Sequence, residues 1–83
     1  MNTPLLEALA AQAHESWAGW IGYMLYQKGV QNEDGSITIP PEWVDRWTRQ
    51  MDTEYEFLPE SERESDRIEA RKYLQIVDNF LKS

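Results

Sequence analysis

Leu6, Leu9, Ala13, Trp17, Trp20 and Met24 step along the chain at threes and fours, the period of one helix face. Leu5, Ile21 and Leu25 widen the stripe beyond what one neighbour covers, so this first helix is predicted to pack on two sides. Thr3 followed by Pro4 reads as an N-cap with proline at the first helical position, and Lys28-Gly29 reads as a stop. A helix over Leu5 to about Gln27 follows. Inside it Gly19 and Gly22 each cost about 1 kcal/mol relative to alanine. Two explanations stand: another helix comes close there, or the run WAGWIGYM bends or meets a ligand.

Gln31 to Ser36 is turn chemistry with Asp34-Gly35 at its centre. Ile37-Thr38-Ile39 is β-branched but short, so it predicts a minimal edge or an extended connector. Pro40-Pro41 stops helix upstream and starts a second helix over about Pro41 to Met51. Trp43, Val44, Trp47 and Met51 take one side of it, and Asp45, Arg46 and Arg49 the other. A third helix begins near Pro59 to Ser61 and runs to Leu81, with Ser61 and Glu64 matching a capping box. Its expected buried face is Ile68, Ala70, Leu74, Val77, Phe80 and Leu81. The fold predicted is mainly α, a single domain over residues 1–83 of three helices and a short extended connector.

Composition narrows the chemistry. The 83 residues include no cysteine, so disulfides and thiolate zinc sites are out, and the ten aromatic residues, four of them tryptophan, must supply much of the packing. A net charge of −7 argues against direct nucleic-acid binding, because phosphate repels carboxylates. The acids concentrate in residues 52–66, seven against one base, while residues 67–83 carry four bases and two acids. On a third helix that order complements the macrodipole. The start has no basic n-region, and Glu7, Gln12 and His14 break its apolar run, so no signal peptide, no membrane span and a cytoplasmic location are expected.

Catalysis lacks its parts. His14 is the one histidine, without a recognisable nucleophile turn near any serine, and His14 with Glu15 point about 100° apart on a helix, too far round to share a metal. Glu60, Glu62 and Glu64 fall on what reads as a solvated helix start. No enzyme, metal or cofactor is therefore expected. The more informative pattern is aromatic rings interleaved with arginine: Trp43 and Trp47 beside Arg46 and Arg49, and a stripe of Arg63, Arg67 and Arg71. Rings stack a base and guanidinium forks onto phosphate; alternatively the rings are core and the arginines neutralise Glu60, Glu64 and Asp66.

Ala11-Gln12-Ala13-His14-Glu15-Ser16-Trp17 resembles the H-x-x-W opening of ryanodine-receptor-type (RyR) domains of bacteria and phages. Leu58-Pro59-Glu60-Ser61-Glu62-Arg63-Glu64-Ser65-Asp66-Arg67 resembles that family's L-P-E-x-E-K-x-x-D-R segment, in the expected order along the chain. The middle departs from the family, with Lys28-Gly29-Val30 and Asp34-Gly35 to Met51 where a Gly-Trp-x-Tyr-Gly-like stretch and a His-Pro-x-Leu segment usually stand. The resemblance implies a small helical scaffold, non-enzymatic, that senses nucleotide-derived or NAD-derived molecules in phage–host conflict. It makes His14, Trp17, Asp66 and Arg67 the motif residues, with Asp66 and Arg67 equally suited to tie the third helix to the first.

The candidate ligand-binding residues are thus His14, Trp17, Trp43, Arg46, Trp47, Arg67 and Arg71. Trp17 is expected to be mostly buried, with His14 at the edge of the same face, hydrogen-bonded or facing a pocket. The alternative function is an acidic protein-interaction module that docks on a host protein or mimics nucleic-acid charge. The wide first-helix stripe, with Gly19 and Gly22 open to a close partner helix, predicts a homodimer.

Overall fold

A computed structural model describes residues 3–82. It is mainly α. Helix α1 (Thr3–Gly22) continues into a π-helical turn (Tyr23–Lys28), strands β1 (Val30–Gln31) and β2 (Ile37–Thr38) follow, and α2 (Pro41–Met51) leads through a 3-10 turn (Tyr55–Phe57) into α3 (Glu60–Lys82). The chain divides into two units, Met1–Trp17 with Pro59–Ser83, and Ala18–Leu58. Among the described residues no helix is long and apolar enough to cross a membrane.

In the unit Ala18–Leu58, the Asp-Gly turn closes an antiparallel hairpin in the register Val30 with Thr38 and Gln31 with Ile37. Asn32 donates its N–H to the Ser36 carbonyl at 2.9 Å, and Gly35 donates to the Asn32 carbonyl at 3.1 Å. The Asp34 carboxylate accepts both the hydroxyl (2.6 Å) and the N–H (3.0 Å) of Ser36, and the hydroxyl above all holds its pKa below the usual range. Gly35 sits at φ +89°, where a side chain is strained. Gly29 is needed for a different reason. A Cβ there would run into Ile37 Cγ2 and lie 2.6 Å from the Leu25 carbonyl, so the hairpin lies tight on the end of the π turn only because the side chain is missing.

The carbonyl of Pro40 accepts the N–H groups of Trp43 (3.0 Å) and Val44 (3.2 Å) and so caps α2. Trp43, Trp47 and Gln50 form its half-buried line. Val44 and Met51 were expected on that side, but they lie roughly 80–100° around the helix and are exposed, Met51 at 79%. Leu58, where the unit ends, is 7% exposed.

In the other unit both long helices are turned relative to the apolar stripes. The half-buried line of α1 here is Leu5, Ala8, Leu9, Gln12 and Ser16, at helical spacing. Leu6 is exposed, and Trp17, expected buried, is 58% exposed. On α3 the buried and half-buried line runs through Glu62, Glu69, Tyr73 and Ile76, while Ile68, Leu74 and Leu81 of the expected face are exposed. The cause is polar chemistry inside. Gln12 donates to the Ser16 hydroxyl at 3.2 Å, and Ser16 hydrogen-bonds the Glu69 carboxylate, so these side chains turn inward as partners.

The capping of the first and third helices also differs from expectation. Thr3 is already helical and is not a cap. At α3 the Pro59 carbonyl accepts the N–H groups of Glu62 and Arg63, each at 3.0 Å, which makes Pro59 the cap and puts Ser61 two positions too far in for the Ser61–Glu64 box. Glu62 then takes the third helical position. A glutamate there normally reaches back to the cap N–H, and proline has none to offer. Glu62 is not solvated as expected; it is 6% exposed.

At Gly19 and Gly22 nothing among the described residues lies within 4 Å of where a Cβ would stand, so an added methyl meets open space. Gly19→Ala is therefore expected to stabilise by about 1 kcal/mol through helix propensity. Gly29→Ala is expected to destabilise by about 1–3 kcal/mol through overpacking. Urea denaturation of the two variants checks the opposite signs; a shared sign would refute the local packing described for Gly29.

Candidate functional site

The residues with the most distinctive chemistry meet in the unit Ala18–Leu58. Trp20, from the last turn of α1, meets Trp47 of α2 edge-on, centroids 5.4 Å apart at 74°, and stacks on Tyr23 at 5.5 Å. Trp43 and Trp47, one turn apart on α2, lie 5.4 Å apart at 37°. Each such pair contributes roughly 0.5–1.5 kcal/mol beyond its buried area. Two cations lie against this cluster. The Arg46 guanidinium is 5.3 Å from the Trp43 centroid, an i, i+3 contact along α2. The Lys28 ammonium is 4.5 Å from Trp43 and 5.4 Å from Tyr23.

The π turn makes the second of these contacts possible. Residues five apart on an α-helix point about 140° away from each other. In the i→i+5 bonding of Tyr23–Lys28 the turn is wider, and the fifth residue comes back over the first. Lys28 thereby reaches the Tyr23 ring and, past it, Trp43. Lys28 makes no ion pair with a described carboxylate. Trp20 keeps 46% of its surface open, so the cluster has a free aromatic face as well as positive charge.

Of the seven candidate residues, the structure joins Trp43, Arg46 and Trp47 here, and adds Trp20, Tyr23 and Lys28, which the sequence did not single out as ligand-binding. The other four belong to the unit Met1–Trp17 with Pro59–Ser83. His14 and Trp17 stack at 6.0 Å and 28°, both exposed, so His14 is not at the edge of a buried face. Arg67 and Arg71 stand in an ion-pair ladder: Glu60 binds Arg63 (2.7 Å) and Arg67 (2.6 Å), and Glu64 binds Arg67 (3.3 Å) and Arg71 (3.0 Å). Asp66, expected to be neutralised by this stripe, is exposed and takes no part in these pairs. Among the described residues no group of three or more His, Asp or Glu side chains is placed to hold a metal ion.

No family model, curated protein or solved structure matches the chain.

The ladder has a pH signature. Hydrogen bonding by Arg67 holds the Glu60 carboxyl below its ordinary 4.5, Arg71 does the same for Glu64, and Lys72 followed by Ser16 for Glu69. A carboxylate with a lowered folded pKa stabilises the fold above its ordinary value and loses that contribution as the pH falls through the folded one. Far-UV ellipticity is therefore expected to hold down to about pH 4.5 and to fall below it. In Glu60→Gln/Glu64→Gln the loss on acidification should be smaller, and an unchanged acid transition would show that the ladder carries none of the stability.

Proposed function

We propose that the chain is a non-enzymatic binding module for an anionic, ring-bearing small molecule of nucleotide-derived or NAD-derived type, taken up on the Trp20, Tyr23, Trp43 and Trp47 rings. The observation that carries this reading is Lys28, a cation resting on two aromatic faces without a carboxylate partner in a chain of net charge −7. A ligand ring has the open face of Trp20 to stack on, and its phosphate meets Lys28 and Arg46. The resemblance to bacterial and phage RyR-type domains supports the same class of ligand, and with it a cytoplasmic role as sensor or sponge in phage–host conflict. The family's own mid-chain segments are missing, so the ligand contacts proposed here come from this chain's rings and cations alone.

A second reading has its own observation. In the 3-10 turn Tyr55 and Phe57 are exposed, Phe57 at 72%, with Glu54 and Glu56 exposed beside them. Apolar rings set among acids suit a basic partner protein.

Thermal unfolding with ATP, NAD, ADP-ribose and inorganic phosphate separates the readings. A ligand at 100 times its Kd stabilises by about 2.7 kcal/mol, and for a small domain each kcal/mol raises Tm by roughly 4–8 °C. A nucleotide is expected to raise Tm where phosphate does not, Lys28→Ala to weaken binding about tenfold, and Arg67→Ala and His14→Ala to leave it unchanged. No shift with any nucleotide at millimolar concentration would remove the small-molecule reading. Loss of binding in Arg67→Ala or His14→Ala would move the site off the rings.

A further inference from the structure

Helix α3 carries a second apolar line besides its inward one. Ala70, Leu74, Val77 and Leu81 follow each other at four, three and four residues, the d-a-d-a spacing of a coiled-coil seam. This line lies about 100° around the helix from Glu62, Glu69, Tyr73 and Ile76. Leu74 is 66% and Leu81 79% exposed, Ala70 is exposed, and only Val77 is half-buried. A shallow depression of about 560 Å³ opens on the same side, lined by Arg71, Leu74, Gln75, Val77, Asp78 and Leu81.

The charges along this seam say what covers it. Arg71 and Asp78 hold the two e positions, both on the flank away from the inward line; the other flank carries Asp66, Tyr73 and Phe80. When two such helices run antiparallel, like flanks face each other and e meets e, so Arg71 of each copy faces Asp78 of the other, twice under a two-fold axis. When they run parallel, e meets the opposite flank, so Arg71 faces Asp66 but Asp78 finds only the Tyr73 ring; the antiparallel arrangement alone gives both e positions a partner of opposite charge. The antiparallel arrangement also fits by size: Leu74 stacks on Val77, and Leu81 on the small Ala70. Within one chain Arg71 is bound to Glu64 and Asp78 to Lys82, each at 3.0 Å, in exposed pairs that exchange partners at little cost.

We infer that the chain pairs with a second copy of itself, antiparallel, through the Ala70–Leu74–Val77–Leu81 seam of α3, with Arg71 of each copy against Asp78 of the other. The seam is four layers long, so the dimer is a weak, concentration-dependent one.

Sedimentation equilibrium of the full chain tests this. The mass is expected to rise from 9.8 kDa toward twice that value as the protein concentration is raised. Leu74→Glu alters an exposed side chain, leaves far-UV ellipticity intact and should hold the mass at 9.8 kDa throughout. Arg71→Glu and Asp78→Arg should each weaken pairing about tenfold or more, and the double variant Arg71→Glu/Asp78→Arg should restore it. Restoration is the discriminating result, since the double swap mends the contact between copies but not the separate pairs with Glu64 and Lys82. A mass of 9.8 kDa at every concentration would overturn the proposal, as would a dimer that Leu74→Glu leaves unchanged or a double variant no tighter than the singles.

Discussion

The edge-on contact between Trp20 and Trp47 is the tie on which the unit Ala18–Leu58 depends. Between these two rings the chain passes through a π turn, a hairpin and the start of α2, and none of these pieces is stable alone. Strands of two residues make too few hydrogen bonds to hold a hairpin in water, and an eleven-residue helix is marginal without tertiary contacts. What brings them together is aromatic surface. Leu58, at 7% exposed, is the one buried hydrophobic side chain among the described residues, so the half-buried bodies of Tyr23, Trp43 and Trp47 take over the work of a core.

The two kinds of cation in the molecule follow from the same scarcity of enclosed volume. On α3 the arginines stay near water and meet carboxylates a turn or two away, the low-cost way to hold charge on a solvated helix. Lys28, which makes no ion pair with a described carboxylate, lies on ring faces, where its alkyl stem covers apolar surface while the ammonium takes the quadrupole. A chain with fifteen acids and eight bases thus places Lys28 and Arg46 on its aromatic cluster.

Much of the fold was readable in the punctuation of the sequence. Asp34-Gly35, Pro40-Pro41 and Pro59 each act through backbone dihedrals or a missing N–H, effects that belong to the residue itself, and so the turn and the second and third helix starts fall where they are predicted. The faces of the helices were harder. Hydrophobic periodicity assigns Gln12, Ser16, Glu62 and Glu69 to solvent, and their inward placement rests on hydrogen bonds or packing between segments far apart in sequence. The same limit applies to the site. Trp43, Arg46 and Trp47 are neighbours on one helix and could be grouped from spacing, whereas Tyr23 and Lys28 are related by a turn for which no local residue preference exists, and α-helical spacing sets them on different sides.

The π turn is, in covalent terms, an α-helix with one residue to spare, since each of its rings closes over five residues where four would do. The chain between Tyr23 and Lys28 is therefore poised between two lengths. With one residue fewer the segment would close as ordinary α-helix, its backbone hydrogen bonds intact, and Tyr23 and Lys28 would stand four apart, again on one face. Helix would be conserved, and with it the meeting of Lys28 with the Tyr23 ring. The π closure is thus what lets a stretch one residue longer than an α-helical turn still present a cation on its rings.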